Sequence, residues 1–296
     1  MTRKRTVLSI GLGLVGCSAF LAIHPSRPLL MRSEEVRVTA ADGAQLAATL
    51  QWPRWQEKPI GAVVLVHGSG PLTRDQVRGD VRALVREGFA VLSYDKRGCG
   101  ASQGRYRPGS EHPMDVIIDE LAQDAQAMML TLRARPELQD VPCGYFGASQ
   151  AGWIIPLASS RLEPPADFHI ILSGPVMSTA QEGHYSHLTG DPPAVAPDEQ
   201  VRARTLAFDG PAVFDPLPIW KGLQVPTLWL LGDRDGSVPT FVSVANLEAL
   251  AREGHVEHTL ARFPNAGHDL RDADTGEPVA VWERMMDWWA AARRDP

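Results

Sequence analysis

Four short runs of the chain are almost wholly apolar: Ala62–Val66, Ala90–Tyr94, Phe168–Leu172 and Thr227–Leu231. A strand with one wet face alternates apolar and polar residues, whereas a parallel strand covered on both faces does not. These runs therefore predict the centre of a parallel sheet. Between them the apolar spacing changes to that of helices, at Val77–Arg86 (stopped by Gly88), Val116–Leu132, Phe241–Ala251 and Val279–Ala292. In the second helix Val116, Ile117, Leu121, Ala125, Met128 and Leu132 share roughly one face and are expected to turn inward. The methionines and tryptophans of these helices, such as Met128 and Trp288, read as core. Ahead of the alternating elements, Glu35–Thr39 and Gln45–Leu50 flank Asp42-Gly43, the signature of a β-hairpin. Strands alternating with helices predict an α/β fold, a mostly parallel, doubly wound sheet.

One stretch breaks the rhythm. From about Pro175 to Gly222 prolines are frequent, histidines recur and no clean strand pattern appears. An insertion at that place, after one strand and before the next, overhangs the C-terminal ends of the strands and reads as a lid. The alternative is a loop without function. The expected organisation is thus a segment 1–24 outside the fold, followed by one α/β domain over 25–296 with a small lid at about 175–222.

Segment 1–24 carries Arg3-Lys4-Arg5 and then an apolar stretch from Val7 to Ile23, closed by His24-Pro25. A basic start followed by an apolar run is the pattern of a signal peptide or N-terminal membrane anchor. Leu14-Val15-Gly16-Cys17 resembles a bacterial lipobox, although the residues after Cys17 stay apolar where lipoproteins turn polar. A cleaved signal, an uncleaved anchor and lipidation at Cys17 all remain open. For a bacterial source each implies an exported, cell-envelope protein, periplasmic or membrane-attached. Of the other cysteines, Cys99 follows the end of its strand and Cys143 opens the next. In a parallel sheet those positions lie at opposite edges, beyond the roughly 7 Å Cα separation of a disulfide, so two free structural cysteines are expected.

At 296 residues and 44% hydrophobic content the chain is ample for a full core. A net charge of −6 without single-sign runs argues against nucleic acid as a partner. No His/Cys cluster has metal-ligand spacing, and no cofactor is implied. Oligomeric state is not legible.

The candidate chemistry centres on Gly147-Ala148-Ser149-Gln150-Ala151-Gly152, between the strand-like Val141–Phe146 and the helix-like Trp153–Ala158. Ser149 has two readings there. It is a helix N-cap, or it is the nucleophile of a strained Gly-x-Ser-x-small turn that pushes its hydroxyl out of the fold. A serine nucleophile needs a base, and the base an orienting acid. Downstream, Asp235 lies in the turn after the Thr227–Leu231 strand, with Asp233 as its competitor. His268 lies in a glycine-containing loop after a further strand. His255 and His258 flank that strand and are expected at the surface; His184 and His187 fall in the lid. Two backbone donors for an oxyanion are expected from the amides of Gln150 and Ser69, the latter in the turn His67-Gly68-Ser69-Gly70, where His67 holds the loop.

These segments together resemble the α/β-hydrolase superfamily, in its bacterial serine esterase and acyl-peptidase-like group. His67–Pro71 resembles the oxyanion loop, Tyr94–Ser102 the structural Asp-x-Arg-Gly-x-Gly-x-Ser turn, and Gly147–Gly152 the nucleophile elbow. Gly232–Pro239 resembles the acid turn and Ala266-Gly267-His268 the histidine loop, over about residues 35–296. Ala151 departs from the commonest elbow, which has glycine there. The resemblance implies the α/β-hydrolase fold and a catalytic triad of Ser149, Asp235 and His268 acting on a small-molecule ester or acyl substrate. It leaves open ester against peptide, amide or thioester, and a ligand-binding protein on the same scaffold.

Overall fold

The computed structural model describes residues 30–254 and 258–292. The basic and apolar leader with Cys17, and His255, lie outside the described residues. Among those described, no helix is long and apolar enough to cross a membrane.

The sheet opens with β1 (Met31–Thr39) and β2 (Gln45–Pro53), paired antiparallel around a turn in which Gly43 has φ +87°. β2 pairs antiparallel with β4 (Ala90–Tyr94). The remaining strands are parallel: β3 (Ala62–Val66), β5 (Cys143–Ala148), β6 (His169–Leu172), β7 (Thr227–Gly232) and β8 (His258–Phe263). The order across the sheet is β1-β2-β4-β3-β5-β6-β7-β8. It is the mostly parallel α/β-hydrolase sheet anticipated from the apolar runs and the motifs.

Alternation within each strand sends side chains to opposite faces, and both faces are covered. Ala62, Val64 and Val66 join one core with α2 (Met114–Arg133), α3 (Ala151–Ser160) and α7 (Thr240–Arg252). Val63 and Leu65 join the other with α1 (Arg78–Glu87) and α8 (Val281–Ala292). This double covering is why the runs do not alternate apolar with polar, and the few polar residues in them, Ser93, His169 and Thr227, are buried as well.

Two expectations are corrected here. Val116 is 49% exposed. The buried stripe of α2 runs through Ile118, Leu121, Ala125, Met128 and Leu132, and Val116 stands two residues, about 200° of helical rotation, from Ile118. His258 is not a surface residue. It opens β8 half-buried, packs edge-on against Trp220 and Trp229, and its Nδ1 accepts a hydrogen bond from Trp229 Nε1 at 3.3 Å. Cys99 and Cys143 are both buried and free.

The 175–222 segment contains three helices, α4 (Thr179–Thr189), α5 (Glu199–Leu206) and α6 (Leu217–Gly222). Serine and aspartate start the first two: Ser178 accepts from the Gln181 amide and Asp198 from the Val201 amide. Both ends of the segment are built into the body of the fold. Val176 and Met177 are fully buried, held by Asn246 Nδ2 on the Val176 carbonyl and Trp153 Nε1 on the Met177 carbonyl. Trp220 of α6 is fully buried against Trp229 and His169.

Candidate active site

β5 ends at Ala148, and at Ser149 the backbone turns to φ +55°, a region L-residues avoid. The Ser149 amide is still held, donating to the Leu172 carbonyl at the end of β6 (2.9 Å). The helix N-cap is Gln150, without a side-chain cap bond, so the capping reading of Ser149 does not hold. The small neighbours are enforced by contact. A Cβ on Gly147 would lie 2.7 Å from the Val66 carbonyl oxygen, and one on Gly152 would lie 2.8 Å from Pro175 Cδ. Ala151, the departure from the commonest elbow, is fully buried with its methyl packed over Gly147.

Two strands along, Asp235 follows β7. Its side chain is wholly buried, and Oδ1 accepts from the amides of Ser237 (2.8 Å) and Val238 (2.7 Å). Oδ2 accepts from His268 Nδ1 at 2.8 Å. Asp233, two residues away, points elsewhere and takes a two-pronged hydrogen bond from Arg262, at 2.9 Å on each oxygen. Of the two aspartates, Asp235 is the one that meets His268.

His268 follows β8 and is 8% exposed. Its amide donates to the Pro193 carbonyl of the 175–222 segment (2.7 Å). With Nδ1 on Asp235, Nε2 is the free nitrogen of the ring, and among the described residues neither it nor Ser149 Oγ makes a hydrogen bond. Burial works against the charged imidazolium, but the Asp235 carboxylate, with Glu182 and Asp191 behind it, outweighs burial and raises the His268 pKa above 6.5. Ser149, Asp235 and His268 therefore stand at the C-terminal ends of β5, β7 and β8. β5 and β7 are two strand spacings apart, roughly 10 Å, with the histidine loop on the far side of the acid turn.

The 175–222 segment is threaded through this region. Tyr185 Oη donates to the Asp235 carbonyl (2.7 Å), Ser186 Oγ to the Ser237 carbonyl (2.9 Å) and Thr189 Oγ1 to the Gly236 carbonyl (2.7 Å). Glu182, on the same helix, is half-buried; burial pushes its carboxyl up to about 8, against the pull of His268. His184 packs against Phe208 within the same segment, and His187 is exposed. Neither is joined to Asp235 or His268.

On the other side of Ser149 lies the turn after β3. A Cβ on Gly68 would sit 3.3 Å from the Ala148 carbonyl oxygen and 3.5 Å from Ser149 Cβ, so this loop runs in contact with the elbow. Among the described residues the amides of Ser69 and Gln150 have no hydrogen-bond acceptor in the protein. His67 is buried, its Nε2 hydrogen-bonded to the Tyr94 carbonyl. Burial lowers its pKa to about 4, which keeps it neutral and suits it to holding the loop. In the Tyr94–Ser102 turn, Asp95 accepts from the amides of Arg74 and Ala101 and Arg97 grips Asp124 through two nitrogens, which is structural work. Lys96 is different, and the sequence reading passed over it. Its buried Nζ donates to the carbonyls of Gly68 (2.6 Å) and Gly70 (3.2 Å) and to Gln150 Oε1 (3.1 Å). The one sequence signal was a lysine set two residues beyond an apolar strand.

Among solved structures, an esterase of Pyrococcus furiosus is 16% identical, with a TM-score of 0.60 over 88% of this chain and 93% of that one. A proline iminopeptidase of Mycobacterium smegmatis is 15% identical, with a TM-score of 0.57 over 88% and 97%. An acylaminoacyl peptidase of Pyrococcus horikoshii is 19% identical, with a TM-score of 0.60 over 88% of this chain but 41% of that one. At such identities the likeness is one of fold. No curated protein matches the sequence. The family model described as serine aminopeptidase, S33 matches residues 57–205, a stretch that contains the oxyanion-loop segment and Ser149. The chain belongs to the S33 serine aminopeptidase family of α/β-hydrolases.

Proposed function

We propose that the protein is a serine hydrolase that cleaves carboxylic esters through an acyl-enzyme on Ser149. The observation that carries this reading is the buried His268–Asp235 hydrogen bond standing at the same sheet edge as a serine in the left-handed region. His268 Nε2 takes the proton of Ser149 Oγ as the oxygen attacks the acyl carbon, and Asp235 holds the ring in the tautomer this requires. The unpaired amides of Gln150 and Ser69 receive the negative oxygen of the tetrahedral intermediate. His268 then gives its proton to the departing alkoxide, the alcohol leaves, and water attacks the acyl-enzyme by the same steps.

Esters need nothing beyond this constellation. Removal of the Ser149 hydroxyl is expected to lower kcat on short-chain p-nitrophenyl esters by about 10⁶-fold. A folded Ser149→Ala protein with wild-type turnover on those esters would sink the proposal.

A second reading, an aminopeptidase on the same triad, draws on the family's description and on Glu182. That carboxyl lies close enough to His268 and Asp235 for their charges to act on it, and a substrate ammonium would pair with an acid there. Aminoacyl p-nitroanilides assayed beside the esters separate the two. Faster turnover of the anilides, lost in Glu182→Gln, would favour the peptidase. The leader supports export to the cell envelope, for which fractionation of a bacterial host is the direct check.

A further inference from the structure

Lys96 is 2% exposed and has no carboxylate within ion-pair distance among the described residues. The acid beside it, Asp95, is engaged by backbone amides of other segments. An ammonium has three N–H donors and no acceptor. Here the three donors meet three neutral acceptors: the Gly68 carbonyl, the Gly70 carbonyl and Gln150 Oε1. Burying a charge among dipoles alone is unfavourable, and a methionine of similar length would fill the same space without that cost. The placement of the acceptors gives the charge a use. Two of them flank Ser69, and the third belongs to the residue that follows Ser149.

The peptide bond makes the connection direct. The Gly68 carbonyl and the Ser69 N–H belong to one planar unit and point in opposite directions. Drawing the carbonyl onto Nζ therefore turns the N–H to the opposite side of the unit, in a loop whose Gly68 lies against Ser149. A hydrogen bond to the carbonyl oxygen also polarises the unit and strengthens its N–H as a donor. The bond to Gln150 ties the first turn of α3 to the same cation. We infer that Lys96 is a positioning residue for the oxyanion hole: its ammonium sets the Ser69 peptide plane, couples it to Gln150, and adds a positive charge behind both donors. The inference rests on the reading of Ser149 as the nucleophile. Burial lowers the Lys96 pKa to about 7, so the ammonium form prevails below that pH and gives way to the neutral amine above it.

The test compares wild type with Lys96→Met and Lys96→Gln, each checked for folding by circular dichroism and thermal unfolding. Steady-state hydrolysis of p-nitrophenyl butyrate is read beside inhibition by an aryl trifluoromethyl ketone, whose serine adduct carries an oxyanion. Loss of the charge and its donors is expected to lower kcat by about 10²-fold with KM little changed. The ketone should weaken in parallel with kcat/KM, and Lys96→Gln, which still donates without charge, should fall between. A merely structural lysine would lower stability without this split. If neither variant folds, Gln150→Leu carries the test: it removes one acceptor and leaves the backbone amide, and a several-fold loss in kcat at constant KM is expected. Unchanged kcat and ketone affinity in a folded variant overturn the inference. Labelling of wild type by a fluorophosphonate separates the two levels. A labelled wild type with indifferent Lys96 variants refutes the lysine's role alone, and an unlabelled wild type refutes the nucleophile and with it this inference.

Discussion

Ser149 holds a backbone conformation that costs an L-residue about 1–3 kcal/mol, and its neighbours supply the means to keep it there. Its amide is tied to β6, and Gly147 and Gly152 lie against groups that leave no room for a Cβ. The acid is chosen by the same kind of local accounting. Asp235 is met by two backbone amides and His268, and Asp233 is taken by Arg262. Replacing Asp235 with Asn is expected to lower kcat by about 10⁴-fold, because the amide favours the wrong imidazole tautomer. The pH profile follows from the sign of the His268 shift. A base must be neutral to act, and the Asp235 anion favours the charged ring, so neutrality is reached only above the ordinary 6.5. The plot of kcat/KM against pH should rise with its midpoint above 6.5; a midpoint at or below that value contradicts the assigned environment.

At the scale of elements, the acid turn and the histidine loop are fastened to the 175–222 segment as well as to each other. Three side chains of α4 reach the carbonyls of residues 235–237, and the His268 amide is held by Pro193. Glycines make the approach close enough. A Cβ on Gly236 would fall 2.1 Å from the Pro192 carbonyl oxygen, and one on Gly267 would fall 2.4 Å from that of Pro193. Gly236→Ala must therefore push the Pro192 backbone off the acid turn. We expect it to cost about 1–3 kcal/mol in stability and, because small displacements of reacting groups are expensive, to lower kcat/KM by about 10²-fold. Gly183→Ala in the same 175–222 segment meets nothing within 4 Å and relieves a glycine inside α4, so it should stabilise by up to about 1 kcal/mol and leave kcat/KM unchanged. Thermal unfolding and steady-state kinetics on the pair check both expectations; equal activity in the two would break the link between this segment and the proposed site.

For the whole molecule, the sheet's two covered faces set the stability and bury a carboxyl along with the apolar core. Asp80 of α1 is buried and, among the described residues, its Oδ1 has no hydrogen-bond partner; burial raises its pKa from 3.8 to about 7. A carboxyl with a raised folded pKa favours the fold while protonated. Its contribution is full below 3.8, declines as pH rises through the interval and is lost above about 7. The difference in unfolding free energy between Asp80→Asn and wild type should therefore grow by a few kcal/mol from mildly acidic to neutral pH, as denaturant titrations at several pH values would measure. A difference that stays flat contradicts the buried, unpartnered state.

Much of this was legible in one dimension. Uninterrupted apolar runs betrayed strands wet on neither face, and helical spacing between them placed the crossovers, since burial of both faces leaves its mark on every residue. The same logic erred at Val116, where one residue's difference in phase turns a side chain to solvent, and at His258, whose polar ring is hidden by Trp220 and Trp229 from elsewhere in the chain. Motif order nominated Ser149, His268 and two aspartates by themselves. What only the tertiary structure decided was which carboxylate meets the imidazole, that Gln150 rather than Ser149 caps α3, and that Lys96 bridges Gly68, Gly70 and Gln150. The division has a physical cause. Periodicity and turn chemistry are properties of neighbours in the chain, whereas a hydrogen bond across 33 or 54 residues exists only once the sheet has set its strands side by side.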